Sequence, residues 1–458
     1  MSCNAAEILN SQRAYFRSGQ TLPYAFRLAA LQKLQSAVRE KEPAILAALK
    51  EDLGKGSMES YMTEVGFILE ELSFCIKHLR GWMRPRRART PLPLFPGRCR
   101  IYPEPLGVSL ILAPWNYPFQ LCIAPLIGAI AAGCCAVVRP SELAPATAAA
   151  IKELLDGVFD PRYIRTVLGG REENAALWSQ PFDLIFFTGG ERVGKMVMTA
   201  AAGNLTPVVL ELGGKSPCIV DRTADLRLAA RRICFGKLLN AGQTCVAPDY
   251  VLAQASIREP LIQELKKAIR EMLGEAPLSA PDYPRIISKG HFDRLTGLMQ
   301  GQRLLYGGET DPAGCRIAPT LIDRPAPDAP VMEEEIFGPL LPVLSFDTLP
   351  DALRFVGERP RPLALYLFTK DKKAEKTVLQ TLSFGGGCIN DTVMHLVTPH
   401  MGFGGVGASG MGDYHGRRSF DAFTHYKSIL HQSTGVDLPV RYRPYTEKHR
   451  RTLRRLMK

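Results

Sequence analysis

Between residues 107 and 273 the chain alternates short apolar, β-branched runs with helical stretches, and Pro- or Gly-containing turns close several of the runs. Strands are predicted at 107–114, 136–140, 163–168, 184–188, 217–220 and 250–252, and helices at 146–158, 193–202, 226–239 and 259–273. A strand, a helix and a further strand in this order build a parallel, doubly wound α/β sheet with right-handed crossovers. Ligands of such sheets bind beyond the carboxyl ends of the strands. The rhythm restarts after Gly213, so two consecutive α/β domains are expected, with residues 211–214 as the hinge.

Two long amphipathic helices precede the first strand. One spans 25–53, with Leu28, Leu31, Leu34, Val38, Ile45, Leu46 and Leu49 at helical spacing, and the other spans 59–82. The segment 84–105 carries six prolines, a density that excludes helix and suits an extended arm or hairpin outside the central sheets. The most apolar stretch, 121–138, contains Pro125 and ends against Arg139, and it lacks the run of about 20 apolar residues that crosses a bilayer. It is expected as buried α/β core.

The formal charge of +12 suggests an anionic partner until its distribution is read. Eight Lys and Arg against one acid in 441–458 give +7, and Arg84, Arg86, Arg87, Arg89, Arg98 and Arg100 give +6, leaving −1 elsewhere. The body is nearly neutral, which argues against nucleic acid as its partner. The basic tail has the composition of a short helix that makes weak peripheral contact with an anionic membrane. Eleven cysteines fall singly except Cys134-Cys135, without paired zinc-ligand spacing, and the N-terminus has no apolar secretory core. A reduced, cytoplasmic location and a site without metal are expected.

Two short words carry the chemistry. Glu211 sits in the apolar run Val208-Val209-Leu210-Glu211-Leu212-Gly213-Gly214-Lys215, where a buried carboxylate is costly unless it has a partner or a task. Cys245 ends Asn240-Ala241-Gly242-Gln243-Thr244-Cys245. A thiol that needs modest activation and a base whose pKa burial raises toward neutrality suffice for covalent catalysis followed by hydrolysis.

These words, with Trp115-Asn116, Arg139-Pro140-Ser141-Glu142, Phe187-Thr188-Gly189-Gly190 and Glu335-Ile336-Phe337-Gly338-Pro339, resemble the aldehyde dehydrogenase superfamily over about residues 28–427. The segment Gly404-Gly405-Val406-Gly407-Ala408-Ser409-Gly410-Met411-Gly412-Asp413-Tyr414-His415-Gly416 is most similar to its class 3, fatty-aldehyde type branch. The resemblance implies an aldehyde dehydrogenase-like α/β fold: a dinucleotide-binding domain (1–83 and 106–211), a catalytic domain (212–403), an oligomerisation arm (84–105 and 419–429) and, here, a basic tail (430–458). It implies oxidation of an aldehyde to the acid with NAD or NADP, by a homodimer. Cys245 would attack the carbonyl, Asn116 and the Cys245 amide would hold the oxyanion, and Glu211 would activate the hydrolytic water.

By the same resemblance the cofactor would meet Trp115, Arg139, Glu142, Gly189, Gly190, Val193, Leu212, Gly213, Glu335 and Phe337. Phe235 and Leu239 precede Cys245 at a spacing that puts them on one helix face, where they either pack in the core or, with Phe403, line an apolar aldehyde tunnel; the second is expected. Arg139 stands where the family normally has lysine. Its guanidinium suits a 2′-phosphate whereas Glu142 suits free ribose hydroxyls, so the choice between NAD and NADP stays open. Gly190 and Glu191 also depart from the family pattern, and Glu191, repelled by a pyrophosphate, is expected to face solvent. Two rival functions are an acylating dehydrogenase that passes the thioester to coenzyme A and a binding protein descended from an enzyme. Glu211 speaks against the first, the intact Asn116, Glu211 and Cys245 set against the second.

Overall fold

The computed structural model describes residues 4–457. Residues 1–3 and Lys458, the extreme ends of the predicted first domain and of the tail, lie outside them.

Both predicted sheets form. The first has the strand order Gly410–Met411, Val208–Glu211, Leu184–Thr188, Val108–Leu112, Cys135–Arg139, Ile164–Thr166, parallel except for the outermost Gly410–Met411. Its central strands read as continuous apolar runs because helices cover both faces. Strand order reverses between Val108–Leu112 and Leu184–Thr188, so a crevice opens beyond their carboxyl ends. Asn116, Gly189 and Glu211 all lie at that edge.

The second sheet runs Leu304–Tyr306, Thr320–Asp323, Leu340–Phe346, Tyr250–Gln254, Pro217–Val220, Ala364–Phe368, Gly386–Ile389, parallel except for its first strand. The expected buried core at 121–138 is helix Gln120–Ala132, buried along its whole length, followed by strand Cys135–Arg139. A helix apolar on every side belongs inside. Its first turn is held by Glu64, whose carboxylate accepts the Phe119 and Gln120 amides at 2.9 and 3.2 Å while pairing with the fully buried Lys55 at 2.7 Å.

The proline-rich segment is a hairpin, Arg86–Ala88 against Arg98–Pro105, extended by strand Thr424–His431 into a small antiparallel sheet. The strand foreseen from residue 419 begins later. Residues Arg417–Ala422 are helical because the Glu71 carboxylate accepts the Gly416 amide, Ser419 Oγ accepts the His415 amide at 2.9 Å, and Phe420 turns into the core. The second long helix also departs from regularity: between Ser57–Ser60 and Gly66–Trp82 it passes through a π-turn, Tyr61–Val65. In the tail, Glu447–Leu456 is helical and capped by Thr446. Among the described residues no helix is long and apolar enough to cross a membrane.

Candidate active site

Glu211 ends its strand 3% exposed, and neither carboxylate oxygen has a hydrogen-bond partner. Burial, reinforced by the charge of Asp413, holds its pKa well above the ordinary carboxylate range. A carboxyl so placed is a strong base once ionised, with lone pairs free to receive a proton.

Cys245 lies on the loop that leads from helix Leu226–Leu238 to strand Tyr250–Gln254. Its thiol pKa is raised by burial first, then by Glu335 and Glu211, while its own amide and that of Val246 act in the opposite sense. The loop is tightly determined. Asn240 and Ala241 both adopt φ 51°, in the left-handed region, and Gly242 follows at φ 76° with a would-be Cβ only 2.2 Å from the Gly338 carbonyl oxygen. Only glycine fits there. Gln243 is fully buried; its side chain donates to the Arg285 carbonyl and accepts the Ile287 amide, both at 3.0 Å.

Asn116 reaches this loop from the first sheet. Its Nδ2 donates to the Gln243 carbonyl at 3.1 Å, and its own carbonyl accepts from Asn240 Nδ2 at 2.7 Å. Since an amide nitrogen carries two hydrogens, one remains free for a second acceptor. Beside it, Tyr117 and Thr244 share a hydroxyl hydrogen bond of 2.6 Å.

The thiol borders two cavities. One, of about 510 Å³, is lined by Trp115, Asn116, Gly189, Gly190, Glu211, Leu212, Gly213, Glu335 and Phe337. The other, of about 450 Å³, is lined mainly by apolar groups including Phe235, Leu239, Phe403, Tyr61, Met62 and Val393. Cys245 and Leu121 belong to both.

The first cavity has the features of a dinucleotide cleft. Helix Glu191–Ala202 points its N-terminus at it through Gly189 and Gly190, leaving amides suited to phosphate oxygens. Trp115 and Phe337 meet edge to face at 5.4 Å. Glu335 is half-buried, with Oε1 enclosed and unpartnered, and desolvation with Asp249 nearby pushes its pKa up to about 8. Lys215 secures the loop that bears it: paired with Asp249, its Nζ donates to the Val331 and Glu334 carbonyls at 2.9 and 2.8 Å. Arg294 grips the same loop at Ile336 at 2.6 Å.

Most of the residues named from sequence thus meet around Cys245, but Arg139 and Glu142 do not line the cleft. Arg139 is 2% exposed; its guanidinium donates to the Pro140, Gly169 and Gly170 carbonyls and pairs with Glu142 at 2.9 Å. Val193, one turn into its helix, is half-buried behind the glycine turn and packs against the core. Glu191 is exposed and pairs with Lys195 at 2.6 Å. Sequence reasoning missed His291, Arg294 and Arg192 in the cleft and Tyr61, Met62, Tyr117 and Tyr414 in the apolar cavity. Tyr117 adjoins one recognised word and Tyr414 lies inside another, so both were within reach; the π-turn that presents Tyr61 and Met62 has no signal of its own.

The model of the aldehyde dehydrogenase family matches residues 3–429. The chain is 50% identical over 438 residues to the 4,4′-diaponeurosporen-aldehyde dehydrogenase of Staphylococcus aureus, covering 95% of each chain. It is 47% identical to aldehyde dehydrogenase family 3 member A2 of Rattus norvegicus, over 91% of this chain and 86% of the relative. Among solved structures it matches a substrate-bound state of Staphylococcus aureus AldH with a TM-score of 0.97 and 48% identity, over 99% of both chains. A betaine aldehyde dehydrogenase from Staphylococcus aureus in complex with NAD+ matches with a TM-score of 0.85 and 28% identity, over 96% of this chain and 91% of the other.

Proposed function

The chain belongs to the aldehyde dehydrogenase family and is an oxidoreductase, and on that premise we propose that it converts an apolar aldehyde to its carboxylic acid through a covalent intermediate on Cys245, with NAD or NADP. The observation that carries this reading is that, among the described residues, Cys245 is the one cysteine that borders both the glycine-edged cleft and the apolar cavity. A nucleophile there can meet an aldehyde arriving on one side and a redox partner on the other.

The cleft fits a nicotinamide dinucleotide: Glu335 keeps an unpartnered oxygen for a ribose hydroxyl, the helix N-terminus at Gly190 offers amides to the pyrophosphate, and Trp115 and Phe337 give flat apolar walls. Leu212 and Gly213 border the same space. When bound, the oxidised cofactor supplies the hydride acceptor. Arg139, turned into the protein, acts on this end by holding the loop at Gly169 and Gly170.

The chain's own groups account for the rest. Cys245 attacks as the thiolate, its proton having passed to solvent through the cleft; Sγ forms a bond to the carbonyl carbon, and the oxygen, now negative, is held by the free Nδ2 hydrogen of Asn116 and the Cys245 amide. Loss of the hydride leaves a thioester on Sγ. Glu211 takes a proton from water, the resulting hydroxide attacks the thioester carbon, the C–S bond breaks, and the acid leaves. Phe235, Leu239 and Phe403 exclude bulk water from the aldehyde's apolar part.

The enzyme is proposed to be a homodimer. The outer edge of strand Thr424–His431, with exposed Ile429 and Leu430, and strand Gly386–Ile389 at the margin of the second sheet both have backbone groups to pair. The basic helix Glu447–Leu456 is proposed to contact anionic membrane weakly, and a cytoplasmic location accords with the absence of disulfides among the described cysteines.

The test is a spectrophotometric panel of aliphatic and substituted aromatic aldehydes against NAD and NADP, with Cys245→Ala as control. Acid formation that favours apolar aldehydes and depends on Cys245 is expected. Acyl-coenzyme A formation in the presence of coenzyme A, or hydride transfer by Cys245→Ala, would overturn the reading.

A further inference from the structure

The turn before the nucleophile is held from an unexpected quarter. Asn240 is fully buried, and its amide donates to Glu59 Oε1 at 2.7 Å. Glu59 belongs to neither sheet; it lies in the short helix Ser57–Ser60, directly before the π-turn whose Tyr61, Met62 and Thr63 line the apolar cavity. Asn240 and Ala241 sit in succession at φ 51°, a conformation that L residues with a Cβ disfavour and that persists only where surrounding bonds over-determine it. The Asn240 side chain then ties two loops together, since Nδ2 donates to the Asn116 carbonyl at 2.7 Å and to the Gln243 carbonyl at 3.2 Å. That second carbonyl also receives Asn116 Nδ2.

We infer that Glu59 is a positioning residue for the reaction, fixing through Asn240 the alignment of the Asn116 amide with Cys245. The inference rests on the reading of Cys245 as nucleophile and Asn116 as oxyanion donor. Without the carboxylate the Asn240 amide is left without a partner in a buried place, and the left-handed turn loses the bond that selects it. Its side chain then no longer holds the Asn116 carbonyl, and the free Nδ2 hydrogen points away from the oxyanion. Glu59 touches neither substrate nor reacting atoms. It also ties the wall of the aldehyde cavity to the nucleophile loop, because carboxylate and wall residues share one stretch of backbone.

The experiment uses the full-length enzyme with Glu59→Ala, Glu59→Gln, Asn240→Ala and the Glu59→Ala/Asn240→Ala pair. Pre-steady-state NADH or NADPH formation, aldehyde KM and Tm are measured for each. Loss of one oxyanion donor costs about 10² to 10³ in rate, so a misaligned donor is expected to cost roughly 10- to 100-fold in the burst rate for Glu59→Ala, with KM within about threefold. Glu59→Gln, whose amide oxygen still accepts, recovers most of that rate. The double variant loses no more than the worse single one, as for two members of one chain of contacts. If Glu59→Ala does not fold, Glu59→Asp, a methylene short of the Asn240 amide, carries the same expectation of a slowed burst at unchanged KM. A Glu59→Ala burst within about twofold of the parent, equal impairment of Ala and Gln variants, or multiplying losses in the pair would overturn the inference. Activity retained in Cys245→Ala would instead strike at the underlying reading.

Discussion

The Glu335 carboxylate covers Gly213 so closely that a methyl group placed on residue 213 would lie 1.9 Å from Oε2. The glycine is what lets the carboxyl lie against the strand end and still keep Oε1 free toward the cleft. Gly213→Ala is expected to push Glu335 outward. With overpacking costs of about 1–3 kcal/mol, cofactor affinity falls roughly 5- to 150-fold, while alkylation of Cys245 in the free enzyme stays close to the parent rate. Fluorescence titration with NADH checks the first and iodoacetamide kinetics the second.

Cys245→Ala and Glu211→Gln separate the two halves of the reaction. The first is expected to abolish dehydrogenase and esterase activity together. The second leaves a burst of reduced cofactor followed by a slow steady state, because the thioester forms but water is not activated. Equal loss of burst and steady state would remove Glu211 from the deacylation step.

The raised pKa of Glu211 fixes the direction of pH dependence. A general base works when ionised, so the deacylation rate falls as pH is lowered through the raised pKa, at higher pH than an ordinary carboxylate would give. Steady-state rates in the parent should therefore decline from neutral pH toward acid, with burst amplitude preserved. Multiple-turnover traces that record burst and steady state at a series of pH values test this.

Glu335 makes a stability prediction of definite sign. Its folded-state pKa of about 8 lies above the ordinary value of 4.5, so the folded protein holds a proton there that the unfolded chain has released. Its contribution therefore weakens as pH rises between those values, and the loss is complete above about 8. Glu335→Gln cannot ionise. Its Tm relative to the parent should rise from pH 5 to pH 9, as measured by calorimetry without cofactor.

Arg139→Lys tests whether the arginine acts on the cofactor directly. A lysine cannot serve the Pro140, Gly169 and Gly170 carbonyls together. Leaving a buried acceptor unmade costs about 1–3 kcal/mol, so Tm and affinity for both cofactors are expected to fall together. A shift of preference toward NAD at unchanged Tm would place the guanidinium at the ribose instead.

Much of this architecture was legible because parallel strands buried on both faces must be apolar throughout. Leu184–Thr188 and Pro217–Val220 could be bounded by eye for that reason. The words around Glu211 and Cys245 stood out because their glycines and polar residues interrupt apolar runs, as Glu211 does. Arg139 was harder: a sequence gives a charge and a neighbourhood, but the guanidinium's direction depends on the loop at Gly169, thirty residues on. The helix at Arg417–Ala422 was hidden likewise, since the Glu71 carboxylate that caps it comes from the other end of the chain. The π-turn at Tyr61–Val65 leaves no mark on hydrophobic periodicity, so its part in the apolar cavity emerged only from the packing.

The outermost strand of the first sheet has a consequence in time. Gly410–Met411 pairs antiparallel with Val208–Glu211, and the Ser409 carbonyl accepts the Leu212 amide at 3.1 Å. The edge that carries Glu211 is therefore closed by residues that leave the ribosome long after both Glu211 and Cys245. A growing chain exposes Cys245 well before the sheet behind Glu211 is complete, and the two-cavity site becomes whole only after residues 409–411 have followed.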